Sequence, residues 1–251
     1  MTIRMVAGGL IAGFAAGLLA ALLHFAFLQN TLLLGEEYES GAAVHWAGPL
    51  TTGGAHYHDE TALTEDAEAD TDTTQTGPET ETQEDSAFTR NALTVLFTGL
   101  VYSGYGLILV AAMQVPALFG RSVNPRDGIL WGVAGFAVVQ ALPSLGLPPQ
   151  LPGTLSADVV QRQIWWIGTI AASAIGLGLL AYGRNLLWTA LAIALLVAPH
   201  LISAPQIEGY WGYAPPELGA QFATRVLSVG MIAWAFLGWL VMRVAPPQDV
   251  G

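Results

Sequence analysis

Met5 to Leu28 reads MVAGGLIAGFAAGLLAALLHFAFL, twenty-four residues without a single charge. A run of that length has few ways to fold. A hydrocarbon core about 30 Å thick is crossed by roughly 20 residues of helix. Inside it, only a helix or a closed barrel can satisfy its own backbone hydrogen bonds. The rival for an N-terminal run is a cleaved signal peptide, whose apolar core is usually about 7 to 15 residues. Five more apolar runs follow, beginning near Phe88, Gly128, Ile164, Leu186 and Phe222. Together they make the chain 53% hydrophobic and only 11% charged, outside the range of a soluble domain of 251 residues. The predicted fold is all-α: a polytopic membrane bundle of about six transmembrane helices, forming a single membrane domain over 1–251.

Charge separates one segment from this bundle. Of the 19 acids, 14 lie between Glu36 and Asp85, and the five that remain face eight arginines. The acidity therefore belongs to a loop rather than to the protein as a whole, and nucleic acid is excluded as a partner. Residues 41–87 read as an acidic, low-complexity external loop between helices one and two. Its stretch TEDAEADTDTTQTGPETETQEDS has too few large apolar residues to order itself. A chain without lysine and with such a loop fits a host adapted to high salt. Within the loop, His56 and His58 stand at i and i+2 beside Asp59 and Glu60, an arrangement able to hold a divalent cation. With no cysteine, thiolate metal sites and cysteine nucleophiles are excluded.

The helices carry their own signals. Gly9, Gly13 and Gly17 form a face that lets a second backbone approach closely, and Gly99 with Ser103 form another. Gly168, Ala172 and Gly176 are the expected packing face of the fourth span. The segment PSLGLPPQLPG, Pro143 to Gly153, cannot continue a helix, so it predicts a rigid lid or re-entrant element, or else a plain turn. Trp165 and Trp166 fit an interfacial belt, with Arg162 beside them. Five arginines on the N-terminal side against three on the other favour cytoplasmic termini in a multi-pass cell-membrane protein.

In that topology His24 and His200 each lie about one turn from the external end of a helix. An imidazole at membrane depth is a functional candidate. For His200, in APHLISAPQ, the alternative is a hydrogen bond to a carbonyl freed by a proline. The same external side receives Glu36, Glu37, Gln140, Arg162, Glu208 and Glu217. Two imidazoles with carboxylates nearby make a reasonable nitrogen and oxygen site for a first-row divalent ion. The expected metal set is therefore His24, His200, Glu36, Glu37, Glu208 and Glu217, with His56 and His58 as an outlying pair.

The stretches LLLGEEYE, PSLGLPPQLPG, RQIWW, APHLISAPQ and PPELGAQFA occur in that order across the chain. In these the chain resembles the CbtA-type family of predicted cobalt transporter subunits. The resemblance implies uptake of Co2+ as a transported ion, with none bound permanently, and a link to cobalamin supply. It also implies a small single-span partner with a histidine-rich end. Five spans are commonly described for that family, against six counted here.

Three functional classes follow. A transport component would draw on a partner or on the membrane potential, since no G-x-x-x-x-G-K-[ST] phosphate loop is present. A non-transporting assembly component, or a homo-oligomer, would use the same glycine faces. An intramembrane serine protease would need Ser103 and His200 within hydrogen-bond reach, and no H-E-x-x-H motif points to a zinc protease. The sequence thus reads as a transport protein and not as an enzyme.

Overall fold

The structure is a computed structural model and describes residues 2–44, 79–209 and 212–245. Its regular elements are helices: α1 (Thr2–Phe27), α2 (Gln29–Ser40), α3 (Glu79–Gln114), α4 (Gly128–Phe136), α5 (Leu142–Ser144), α6 (Val159–Tyr182), α7 (Leu186–Ile202) and α8 (Pro216–Val244). Two 3₁₀ turns follow α3, and a π-helix, Ala137–Ala141, joins α4 to α5. The compact unit described below comprises 1–45 with 93–251, apart from 46–92.

Among the described residues four helices have the length and hydropathy to cross a membrane: α1, α3, α6 and α8. The remaining two apolar runs are also helical but shorter. One is α7, of 17 residues; the other is the α4, π and α5 series. The helix starts follow local chemistry. Asp158 Oδ1 accepts the amides of Val160 and Gln161 to cap α6, and Asn185 Oδ1 accepts that of Trp188 to cap α7. At α8 the proline at the first helical position gives up an amide that would have no partner there anyway.

The small-residue faces of α1 and α3 meet. A Cβ on Gly13 would collide with Tyr102 O and Ser103 Cα, one on Gly106 with Gly9 O, and one on Gly17 would stand 2.6 Å from Gly99 Cα. The backbones touch, which is how helices without a hydrophobic driving force between them associate in lipid. The pair α4 and α8 crosses in the same manner, through Gly132 against Trp234 O and Gly238 against Gly128 O. Around these crossings lies the main core, with Ala16, Met113, Ala233, Trp234, Leu237 and Val241 almost wholly buried. The Trp234 ring stacks on Tyr105 at 4.7 Å.

One expectation is corrected. On α6 the packed residues are Thr169, Ser173 and Gly176, whereas Gly168 has open space beside it. The packing face is therefore turned by about one residue, because α7 presents Leu196 and the Ala192 carbonyl to Gly176. Gln29–Ser40, just before the acidic loop, is helix. Leu28, Leu32 and Gly35 fall at helical spacing and pack inward, leaving Glu36, Glu37 and Glu39 at the surface. The helix α3 begins at Glu79. The loop before it, including His56 and His58, falls on 45–78 and lies outside the described residues.

Between α1 and α2 Leu28 keeps the helical bonding pattern, Leu28 N bonding to His24 O and Leu32 N to Leu28 O. Arg225 of α8 ties this junction down, its guanidinium donating to the Phe27 carbonyl at 3.1 Å and to the Thr31 hydroxyl.

Candidate functional site

Pro143 has no amide to give to the helix preceding it, and the ladder adjusts upstream. The Leu142 amide bonds to Ala137 O, one residue farther than in an α-helix. The resulting π-turn carries Gln140 toward α8. Gly230 makes room for it, since any Cβ there would strike Gln140 Oε1, and that oxygen is buried without a hydrogen-bond partner. After Ser144 the helix ends, with the amides of Gly146 and Leu147 both turning onto Pro143 O. Residues 145–158 then run as turns and irregular backbone, as the prolines and glycines dictate.

Around this turn the distant signature stretches come together. Gly35 of α2 packs against Leu151, and Glu39 and Tyr213 lie against Gly153, whose φ of 72° suits glycine. Leu151 joins Leu28, Phe222 and Val229 in a small second core. Gly146 meets the Trp165 ring and Ala204. Trp165 in turn donates its indole N–H to Pro199 O at 3.1 Å and sets its ring edge-on to His200, 6.0 Å between centroids. It ties the proline turn to the end of α7, while Trp166 lines a cleft beside it.

That cleft has a volume of about 800 Å³. It is lined by the proline turn, by Tyr105, Gln140, Val226 and Leu227, and by the first turns of α6. Its polar groups are amides and hydroxyls together with Arg162. Arg162 Nη2 donates to Gln150 Oε1 at 3.2 Å, and Ser156 Oγ donates to the same oxygen at 2.7 Å. Sequence reasoning singles out Gln140 and Arg162 but misses Gln150, Ser156 and Gln163, since nothing in a polar loop residue's neighbours tells which way it turns.

The expected metal residues are dispersed by comparison. His24 is half-buried on α1 with its ring edge-on to Phe25, and that helix packs on α2, α3 and α8. His200 sits on α7, which packs on α6; its Nε2 is buried and has no partner. With Nε2 unpartnered, that nitrogen makes no hydrogen bond to a carbonyl freed by Pro199 or Pro205, and the Pro199 carbonyl itself is taken by Trp165. Glu36, Glu37, Glu208 and Glu217 are all exposed. Among the described residues no three histidine or carboxylate groups gather closely enough to hold a metal ion. Ser103 is buried at the contact of α1 and α3, its hydroxyl donating to Gly99 O at 2.8 Å in its own helix.

The family described as probable cobalt transporter subunit (CbtA) matches residues 2–245. No curated protein and no solved structure matches the chain. The match extends over all eight helices and over the proline turn that brings the signature stretches together. The chain belongs to the family of probable cobalt transporter subunits.

Proposed function

We propose that this chain is the membrane component through which a divalent transition metal, Co2+, is taken up for cobalamin supply, and that the cleft beneath the proline turn receives the cargo. The observation that supports it is convergence. Three of the five stretches, LLLGEEYE through Leu32, PSLGLPPQLPG and RQIWW, line one partly polar cleft, and the other two pack beside it, Ala204 at Gly146 and Phe222 with Leu151, on a glycine-packed set of helices. Preorganised sites on rigid elements are where binding is expected. Residues 1–251 act as one membrane domain with cytoplasmic termini and the 41–87 loop outside, and a small single-span histidine-rich protein is the partner.

In this reading His200 and His24, with the exposed Glu36, Glu37, Glu208 and Glu217 and with His56 and His58 farther out, meet the ion singly outside the cleft, when it is free of other ligands. Single ligands suit transport. A site must bind well enough to admit an ion and weakly enough to release it. The test is uptake of labelled cobalt by proteoliposomes holding this chain alone or with its single-span partner. Uptake that requires neither this chain nor its two helix histidines, checked in H24A/H200A, would remove the proposal. Uptake only when both proteins are present would assign this chain an assembly role as well.

A further inference from the structure

We infer that the cleft takes the metal as an anionic polycarboxylate chelate, with Arg162 holding a carboxylate of the complex that the metal leaves free. The inference rests on the reading of the chain as a component of metal uptake and names the chemical form of its cargo.

The cleft's charge carries the argument. Among its described lining residues Arg162 is the one charged group, and the other polar walls are the amides of Gln140, Gln150 and Gln163 with neighbouring hydroxyls. A bare dication beside an unneutralised guanidinium is repelled. A carboxylate is drawn in and can be gripped by two parallel N–H groups. Arg162 is already aimed, because Gln150 Oε1 accepts from it and is itself steadied by Ser156. One such bond leaves most of the guanidinium's five donors for a ligand.

The acids on surrounding elements do not cancel that charge from within. Asp158 spends Oδ1 on the amides of Val160 and Gln161, and exposed Glu39 lies against Gly153; neither lines the cleft.

Size and surface agree with this. About 800 Å³ falls within the 300–1,000 Å³ typical of small-molecule sites. The rings of Tyr105 and Trp166 provide apolar cover for a carbon skeleton. Gln140 lines the cleft beside Tyr105, although its Oε1 is turned against Gly230 and buried there, which leaves Gln150, Gln163 and the hydroxyls as the polar wall facing a ligand. A chelate brings the ion's oxygen ligands with it. The wall then needs only outward hydrogen bonds, which is what amides and hydroxyls supply.

The test uses the purified full-length chain in nanodiscs, with citrate, Co2+–citrate and Co2+ alone as probes, read by calorimetry and tryptophan fluorescence. Expected are binding of Co2+–citrate, at least tenfold weaker binding in R162Q, partial recovery in R162K, and no change in R184Q, which removes an arginine from a distant turn. Equal binding by wild type and a folded R162Q, or no binding of either citrate species, overturns the proposal.

A phosphate headgroup offers the same oxyanion chemistry, so the measurement is repeated with neutral lipid and with phosphatidylglycerol. Persistence of R162Q-sensitive binding in both supports a solute, and its abolition by phosphatidylglycerol reassigns Arg162 to lipid. Citrate binding without cobalt uptake in proteoliposomes would count against the transport role while leaving the anion site standing. Uptake of the free ion with no effect of citrate would do the reverse.

Discussion

Two helices of this protein carry nearly the same stripe, and only one uses it. On α1, Gly9, Gly13 and Gly17 all press against the backbone of α3 at Gly106, Tyr102 and Gly99. On α6, Gly168 faces open space and Gly176 alone of the two glycines is packed, beside Thr169 and Ser173. A small-residue stripe is thus a permission for close approach and not an instruction. What decides is whether the neighbour offers a matching groove. For α1 the partner has its own small residues, Gly99, Ser103 and Gly106, at similar spacing. For α6 the partner, α7, offers Ala192 but also the bulkier Leu196, and the contact rotates toward the hydroxyl-bearing side.

That contrast can be broken most severely at Gly13. The variant G13V places carbon against the Tyr102 carbonyl and Ser103 Cα, backbone atoms that cannot turn aside, and should cost about 3 kcal/mol or more. Loss of a monodisperse thermal transition in detergent would show it. At Gly176 the obstacle is partly a side chain: a Cβ would stand 2.9 Å from Leu196 Cγ and 3.1 Å from Ala192 O. G176A should therefore cost about 1 to 2 kcal/mol, seen as a lowered but intact transition.

Ser173 sharpens the comparison in the opposite sense. Its hydroxyl is buried without a partner, so S173A should raise stability by about 1 kcal/mol. A fall in melting temperature would show that the hydroxyl is satisfied after all. The smallest effect belongs to Gly168, where G168A adds a methyl group to open space and should move stability by no more than about 0.5 kcal/mol. A large loss there would mean that this face of α6 packs against something, a second copy of the chain being the first candidate to test by cross-linking.

The candidate site is legible to different degrees for physical reasons. Pro143 and the prolines after it make the irregular turn visible in the sequence, because a missing amide acts locally. The π-turn that lifts Gln140 into its buried position depends on the same proline but also on Gly230, some ninety residues away, which leaves space for the amide. The tie between Trp165 and Pro199 O could not be anticipated either. Tryptophan near a helix end is equally at home in a headgroup belt, and only the neighbouring α7 gives its N–H a partner. His24 and His200 illustrate the limit most plainly. Their similar distance from a helix end is readable, whereas their direction around the bundle is not.

What the amino-acid order determined alone is the class of the molecule and the placement of its apolar helices and proline turn. Hydropathy accumulates residue by residue over a span, and a missing amide breaks a helix wherever it occurs, so neither needs a distant partner. What the tertiary structure decided is which side of each helix is buried, and therefore which polar atoms meet. Rotation about a helix axis is set by the shape of the neighbouring helix rather than by the helix itself. For that reason the imidazoles lie in different packing neighbourhoods, and a glutamine, an arginine and a run of prolines share the cleft.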